Sequence, residues 1–272
     1  MSTSHLVVKA SPAREICNVT PESAGWKHVG FRALRLSAGD SESVDTLSRE
    51  LCLVVLTGTV EARVDGEIFE GLGRRDSVFD DISPDALYVP GGRTVTIKAT
   101  RDAEIALCTA PYVSGDKVVK RLDGEAMKRS ARGKGSNARY VCDILMGDNP
   151  AADRLLVVEV ITPAGHSSSY PPHKHDSDAL PGETVLEETY YHRLSPAQGF
   201  AFQRVYTDDR SLDEACVVEN HDVVMVPRGY HPVVAPHGYN LYYLNVMAGP
   251  GRAWEFRNDP AHEWMLNPAS GV

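Results

Sequence analysis

The sequence predicts an all-β chain built as two tandem halves of the same construction, and three observations carry the prediction. Short apolar stretches rich in β-branched residues recur along all 272 residues, punctuated by Gly, Pro, Asp and Asn. Stretches with helical periodicity are scarce. One pattern occurs twice: Asp85-Ala86-Leu87-Tyr88-Val89-Pro90-Gly91-Gly92 in the first half is matched by Asp222-Val223-Val224-Met225-Val226-Pro227-Arg228-Gly229 in the second. In each copy an apolar strand runs into Pro-x-Gly, a turn that feeds a further strand, which marks an internal duplication.

In chain order, the first half reads as strands over 29–35, 50–57, 59–64, 86–89, 94–99 and 103–109. Val64-Asp65-Gly66-Glu67 is the hairpin turn, because Asp-Gly tolerates the positive φ of a tight two-residue connection. The second half reads as strands over 155–162, 187–194, 199–207, 215–219, 222–226, 231–235 and 241–247. The predicted organisation is a first barrel over 1–112, a linker over 113–140 and a second barrel over 141–272. Within the linker, the basic run Lys128-Arg129-Ser130-Ala131-Arg132-Gly133-Lys134 reads as a solvated connection, with a ligand-contacting loop as the alternative. Strand pattern alone fits sandwiches as well as barrels, and the histidines decide between them.

Composition excludes several function classes. With 42% hydrophobic and 24% charged residues the chain is that of a globular protein. No apolar run approaches the ~20 residues that cross a bilayer, so no membrane association is expected. Residues 1–14 lack a basic segment followed by an apolar stretch, which makes the cytoplasm the expected location. A net charge of −9 opposes binding to nucleic acid or anionic membranes, which need clustered basic residues. Cys17, Cys52, Cys108, Cys142 and Cys216 lie far apart without a C-x-x-C pair and are expected to be buried free thiols.

The chemistry concentrates in the second half. Seven of the ten histidines fall between His166 and His237. In Tyr170-Pro171-Pro172-His173-Lys174-His175-Asp176 two histidines stand two apart in a segment that prolines keep extended, so both imidazoles point to one side and reach one ion. The strand-like run Glu187-Glu188-Thr189-Tyr190-Tyr191-His192 offers a carboxylate. Pro227-Arg228-Gly229-Tyr230-His231-Pro232 then brings a histidine just after the Pro-x-Gly turn. Three imidazoles and one carboxylate suit zinc, iron, manganese or nickel and leave room for substrate or water. His166, His221 and His237 receive no role.

The pattern His-x-His, Glu, Pro-x-Gly-x-His resembles the metal-binding motifs of the cupin superfamily, with a longer spacing than usual before the Glu. More narrowly, the three segments above, with Leu186 before the Glu run and followed by Tyr242-Tyr243-Leu244-Asn245-Val246-Met247-Ala248-Gly249, resemble the family of 5-deoxy-glucuronate isomerases of inositol catabolism. These are related to the uronate ketol-isomerases of pectin breakdown. The resemblance implies a bicupin of two jelly-roll-like β-barrels. It also implies one divalent metal ion, zinc first among the candidates, on His173, His175, Glu188 and His231. Glu187 and Glu183 are the competing carboxylates. The first half has no matching His pair and is expected to be a metal-free scaffold or lid. Exposed barrel edges and the resemblance make a homo-oligomer an expectation.

The implied reaction interconverts an aldose acid and a ketose acid, by an enediol route or a metal-assisted hydride shift. Candidate bases are Glu187, His192 and the tyrosines Tyr190, Tyr191, Tyr206, Tyr242 and Tyr243, with Tyr242 carried forward as the catalytic tyrosine. The carboxylate of a small sugar-acid substrate needs a cation, for which Arg204, Arg228 and Lys174 compete and Arg193 is a rim candidate. Arg204 leads, as a charge expected to point inward from mid-strand. Two other classes stay open: another metal-dependent cupin enzyme such as an iron dioxygenase, and a sugar-binding cupin without turnover.

Overall fold

The computed structural model describes residues 4–266. In the first half, the strands Lys120–Leu122, Ala86–Val89, Arg49–Thr57, Ala103–Pro111, Gly30–Leu36 and Glu15–Val19 form one antiparallel sheet in that spatial order. A smaller sheet of Ser41–Asp45, Thr94–Ala99, Val60–Val64 and Glu67–Leu72 closes over it. Between them Leu34, Leu51, Leu53, Val55, Val95 and Ile105 pack an aliphatic interior.

The second half repeats the plan. Its large sheet runs Val7–Val8, Val223–Val226, Glu187–Ser195, Asn240–Ala248, Leu156–Thr162, Arg139–Leu145 and Lys128–Arg132. Its small sheet holds Ser167–Ser168, Val233–Val234, Phe200–Tyr206 and Asp213–Glu219. The fold is an all-β bicupin, as the sequence predicts. The predicted strand over 231–235 shortens to Val233–Val234, because Pro232 cannot donate to a sheet ladder.

Register makes the duplication residue-specific. Leu51 pairs with Val89, and Glu188 pairs with Val226, each valine being the last residue before Pro-x-Gly. Leu51 and Glu188 are therefore equivalent positions, leucine in one barrel and carboxylate in the other.

The halves also exchange edge strands. Val7–Val8, from near the start of the chain, pairs with Val223–Val226 of the second barrel. Lys120–Leu122, from the connection, pairs with Ala86–Val89 of the first. The repeated aspartates hold both exchanges: Asp85 accepts from the Gly124 N–H at 3.0 Å, and Asp222 from the Ala10 N–H at 3.0 Å. The basic run read as a solvated connection contains the edge strand Lys128–Arg132.

The two large sheets stack back to back. Phe31, Cys52, Val54 and Cys108 from the first meet Val157, Tyr191, Tyr242, Leu244 and Val246 from the second in one apolar seam. Two charged pairs lie inside this seam: Arg75 donates to both oxygens of Glu159 at 2.9 and 2.8 Å, and Arg193 donates to Glu104 at 2.7 Å. All five cysteines are free and buried. Among the described residues no helix is long and apolar enough to cross a membrane.

Candidate active site

The site lies inside the second barrel. Along Glu187–Ser195 side chains alternate, so Glu188, Tyr190 and Leu194 turn into the barrel while Tyr191 turns into the seam. Alternation also sets the histidine pair. His173 and His175 converge on the barrel interior, whereas Lys174 between them points away, donating to Asp176 at 3.0 Å and Asp208 at 2.8 Å. His231 is delivered by the Pro-x-Gly turn. Gly229 has a φ of +86°, and a Cβ there would stand 2.4 Å from the Tyr206 carbonyl oxygen, so only glycine fits.

Ligating atoms of His173, His175 and His231 all lie within 4.8 Å of one another. Glu188 Oε2 is 3.0 Å from His175 Nε2 and 3.2 Å from His231 Nε2. The His175 contact has hydrogen-bond geometry; the His231 contact does not, which leaves that nitrogen without a hydrogen-bond partner. Each Nδ1 faces a backbone carbonyl, Leu186 at 3.2 Å for His175 and Gly229 at 2.8 Å for His231. A carbonyl only accepts, so Nδ1 carries a hydrogen in both rings and each Nε2 is aimed at Glu188, across a shared hydrogen in the His175 contact. Asn245 Nδ2 donates to the second oxygen of Glu188 at 2.5 Å.

Burial lowers the His175 imidazole, but hydrogen bonding to Glu188 outweighs it and raises the pKa above the ordinary imidazole value, so His175 shares a proton with Glu188 that a bound cation would replace. Burial raises the Glu188 carboxyl, but hydrogen bonding to His175 and the nearby His231 outweigh it and hold the pKa down to about 2. Burial, reinforced by His231 and His175, pushes His173 well below the ordinary imidazole value. Burial, with Glu188 nearby, pushes the Tyr190 hydroxyl well above the usual phenol range, and burial raises Tyr243 as well. Both remain phenols.

His173, Glu188, Tyr190, Tyr243, Asn245 and Arg139 border a cavity of about 50 Å3. A wider cavity of about 590 Å3 lies beside it, lined by Asn137, Arg139, Tyr170 and Trp264 among others. Arg139 borders both.

The structure separates the candidates that sequence grouped together. Glu187 faces the seam, where its carboxylate accepts from the backbone N–H groups of Lys27, His28 and Val29 at 2.8, 2.8 and 2.9 Å. Glu183 caps a loop by accepting from the N–H groups of Asp176 and Ser177. Tyr242 lies in the seam and donates to Glu159 at 2.9 Å; Tyr243, one residue on, faces the cavity. Tyr191 donates to Glu104, and Tyr206 donates to Asp259. Arg204 does not point inward: Ala201, Gln203 and Val205 take the inner face, and Arg204 pairs with Asp213 on the outer one at 2.7 Å. Arg228 is exposed. His192 is fully buried in the barrel, stacked on Tyr190 with ring centroids 6.0 Å apart, and neither ring nitrogen has a partner. Burial lowers its pKa to about 3. Arg139 was not a candidate, because a charged, glycine-bearing stretch reads as linker, and Arg132 lies in the basic run whose alternative reading was a ligand-contacting loop.

Three imidazoles, with a carboxylate against two of them, converge inside one barrel of a duplicated β-fold and define a bicupin with, among the described residues, one histidine-rich centre. The chain belongs to the KduI/IolB family, whose model matches residues 5–265. A 5-deoxy-glucuronate isomerase of Halalkalibacterium halodurans is 51% identical over 249 residues, covering 92% of each chain. The crystal structure of an IolB-like protein from Salmonella typhimurium superposes with a TM-score of 0.95 at 44% identity, over 97% of this chain and 100% of that one. A Bacillus subtilis oxalate decarboxylase shares the fold at a TM-score of 0.65 and 13% identity, over 95% of this chain and 80% of its own.

Proposed function

We propose that this chain is a metal-dependent aldose–ketose isomerase that converts 5-deoxy-glucuronate into 5-dehydro-2-deoxy-gluconate in the catabolism of myo-inositol. One observation carries the reading: three histidines and Glu188 converge beside a cavity in a chain about half identical, over most of its length, to a 5-deoxy-glucuronate isomerase. His173, His175, Glu188 and His231 hold the ion. Zinc is the first candidate, and manganese, iron and nickel accept the same donors. The donor set fits a cation for a reason internal to the site. The Nε2 atoms of His175 and His231 are both aimed at one buried carboxylate oxygen, an arrangement held together by positive charge, either a shared proton or a divalent ion in its place. A bound divalent ion supplies polarisation of the substrate carbonyl and acidification of the neighbouring hydroxyl.

The isomerisation moves the C2 hydrogen to C1 and the hydroxyl hydrogen from O2 to O1, with no net oxidation. Tyr190 and Tyr243, held as phenols, donate hydrogen bonds to substrate oxygens. Ser168 meets the Tyr243 hydroxyl at 2.5 Å and Ser169 meets that of Tyr190 at 3.3 Å, which orients both. Asn245 orients Glu188. His192, stacked on Tyr190, acts as a positioning residue. Trp264, Met265 and Leu266 of the turn Glu263–Leu266 line the wider cavity beside the site. Five free, buried cysteines suit a reducing compartment, and the reading includes a cytoplasmic site of action.

The test is conversion of 5-deoxy-glucuronate by the purified, metal-replete protein, followed by NMR in deuterated water. The reading predicts new ketone and hydroxymethyl signals. Deuterium at the new C1 position identifies proton exchange, and its absence identifies direct hydrogen transfer. No conversion by the folded protein contradicts the reading.

A further inference from the structure

We infer that Arg139, assisted by Arg132, receives the carboxylate of the sugar-acid substrate. The inference deepens the isomerase reading and rests on it.

Lys128–Arg132 and Arg139–Leu145 form a hairpin in which Arg132 and Arg139 are directly opposite partners. Like charges facing each other across an antiparallel pair repel. Both side chains border the cavity that also holds His173 and Glu188. Arg132 has partial compensation: its guanidinium lies over the Trp254 ring at 5.4 Å and 3.7 Å from Asp143. Arg139 has none. Among the described residues no carboxylate pairs with it, and its acceptors are the uncharged Asn137 carbonyl oxygens, backbone at 3.1 Å and side chain at 3.2 Å. Burial depresses its pKa, with Arg132 adding to the effect against Tyr243. Arg139 is half-buried and has no counter-ion among the described residues, and a planar fork at a cavity wall matches a carboxylate.

Gly133 turns the hairpin at φ +78°, where a Cβ would stand 2.1 Å from the Asn137 carbonyl oxygen, and the same bare glycine leaves room for Arg139 Nη1. Two of the other cations near the barrel are committed elsewhere, Lys174 to Asp176 and Asp208, Arg204 to Asp213. Arg139 and His173 border the same cavity, so an acid held by Arg139 turns its aldehyde end toward the histidines.

The experiment compares 5-deoxy-glucuronate with its neutral counterpart bearing a hydroxymethyl group in place of the carboxylate, in wild type, Arg139→Gln and Arg139→Lys. The expected result is a fall on the order of 100-fold in the ratio of kcat/KM for the acid to that for the neutral sugar in Arg139→Gln, and partial recovery in Arg139→Lys. Calorimetric binding of the unreactive acid whose aldehyde is reduced to an alcohol gives a readout independent of turnover, and its affinity follows the same order. Unchanged ratios and affinities in both variants, with wild-type turnover intact, overturn the arginine assignment and leave the isomerase reading standing. A wild-type protein that neither binds nor converts the acid overturns that reading and the assignment with it.

Discussion

Glu50 and Glu187 occupy the same position in the two halves and latch them together in opposite directions. Glu50, beside Leu51 in the first barrel, accepts from the N–H groups of Asp153, Arg154 and Leu155 at 2.7, 2.7 and 2.6 Å, just before a strand of the second barrel. Glu187, beside Glu188, accepts from Lys27, His28 and Val29 just before the corresponding strand of the first. Duplication has preserved this reciprocal clasp. The next residue has diverged, to leucine in one barrel and to the central carboxylate in the other.

Two adjacent glutamates therefore have separable effects. Glu187→Ala removes three charge-assisted hydrogen bonds across the seam and is expected to lower unfolding free energy by about 3 kcal/mol. Bound metal survives. Glu188→Ala is expected to abolish metal binding in a protein that still folds. Denaturant titration and elemental analysis of both variants check the contrast, and metal loss in Glu187→Ala contradicts it.

Adjacent tyrosines divide in the same way. Tyr243→Phe removes a cavity hydroxyl and is expected to reduce kcat on the order of 100-fold. Tyr242→Phe removes the seam hydrogen bond to Glu159 and is expected to cost about 1–2 kcal/mol of stability with turnover retained. Steady-state kinetics beside thermal unfolding distinguish the two.

Asn245 touches no imidazole, yet it holds one oxygen of Glu188. Asn245→Ala is expected to weaken metal affinity about 10- to 100-fold. Competition with a chromophoric chelator measures it, and unchanged affinity refutes the orienting role.

Acid stability should depend on Glu104. Burial raises this carboxyl, but His221, Arg193 and Tyr191 outweigh burial and hold it below its ordinary value. A folded pKa below the unfolded one of about 4.3 means the contribution is complete above that pH and declines as pH falls through the folded value. Glu104→Gln is expected to flatten the loss of stability below about pH 4.5. Unfolding free energies of metal-free wild type and variant across pH 3–7 test this, and parallel curves contradict it.

The duplication and the histidine-rich segment were legible because they are written in short-range patterns: Pro-x-Gly after an apolar strand, and His-x-His in an extended run. What failed was phase. The second barrel's large sheet is covered on both sides, so apolar and aromatic residues fill both faces of Asn240–Ala248, and alternation does not tell Tyr242 from Tyr243. On Phe200–Tyr206 the phase misled, since the large apolar Phe200 and Phe202 share Arg204's face and lie outside, while Ala201, Gln203 and Val205 take the inner one. Arg139 was missed, and Arg132 was read first as part of a solvated connection, for a third reason. Their meaning comes from a cross-strand pairing in a stretch whose charge and glycine content resemble a linker.

The most direct test of the central claim is metal content measured with turnover of 5-deoxy-glucuronate, before chelation, after chelation and after readdition of zinc, manganese, iron or nickel. The account predicts about one ion per chain, loss of turnover with loss of the ion, and recovery of both together. Full turnover by protein stripped of metal, or metal bound equally well after His173→Ala, His175→Ala and His231→Ala, would contradict it.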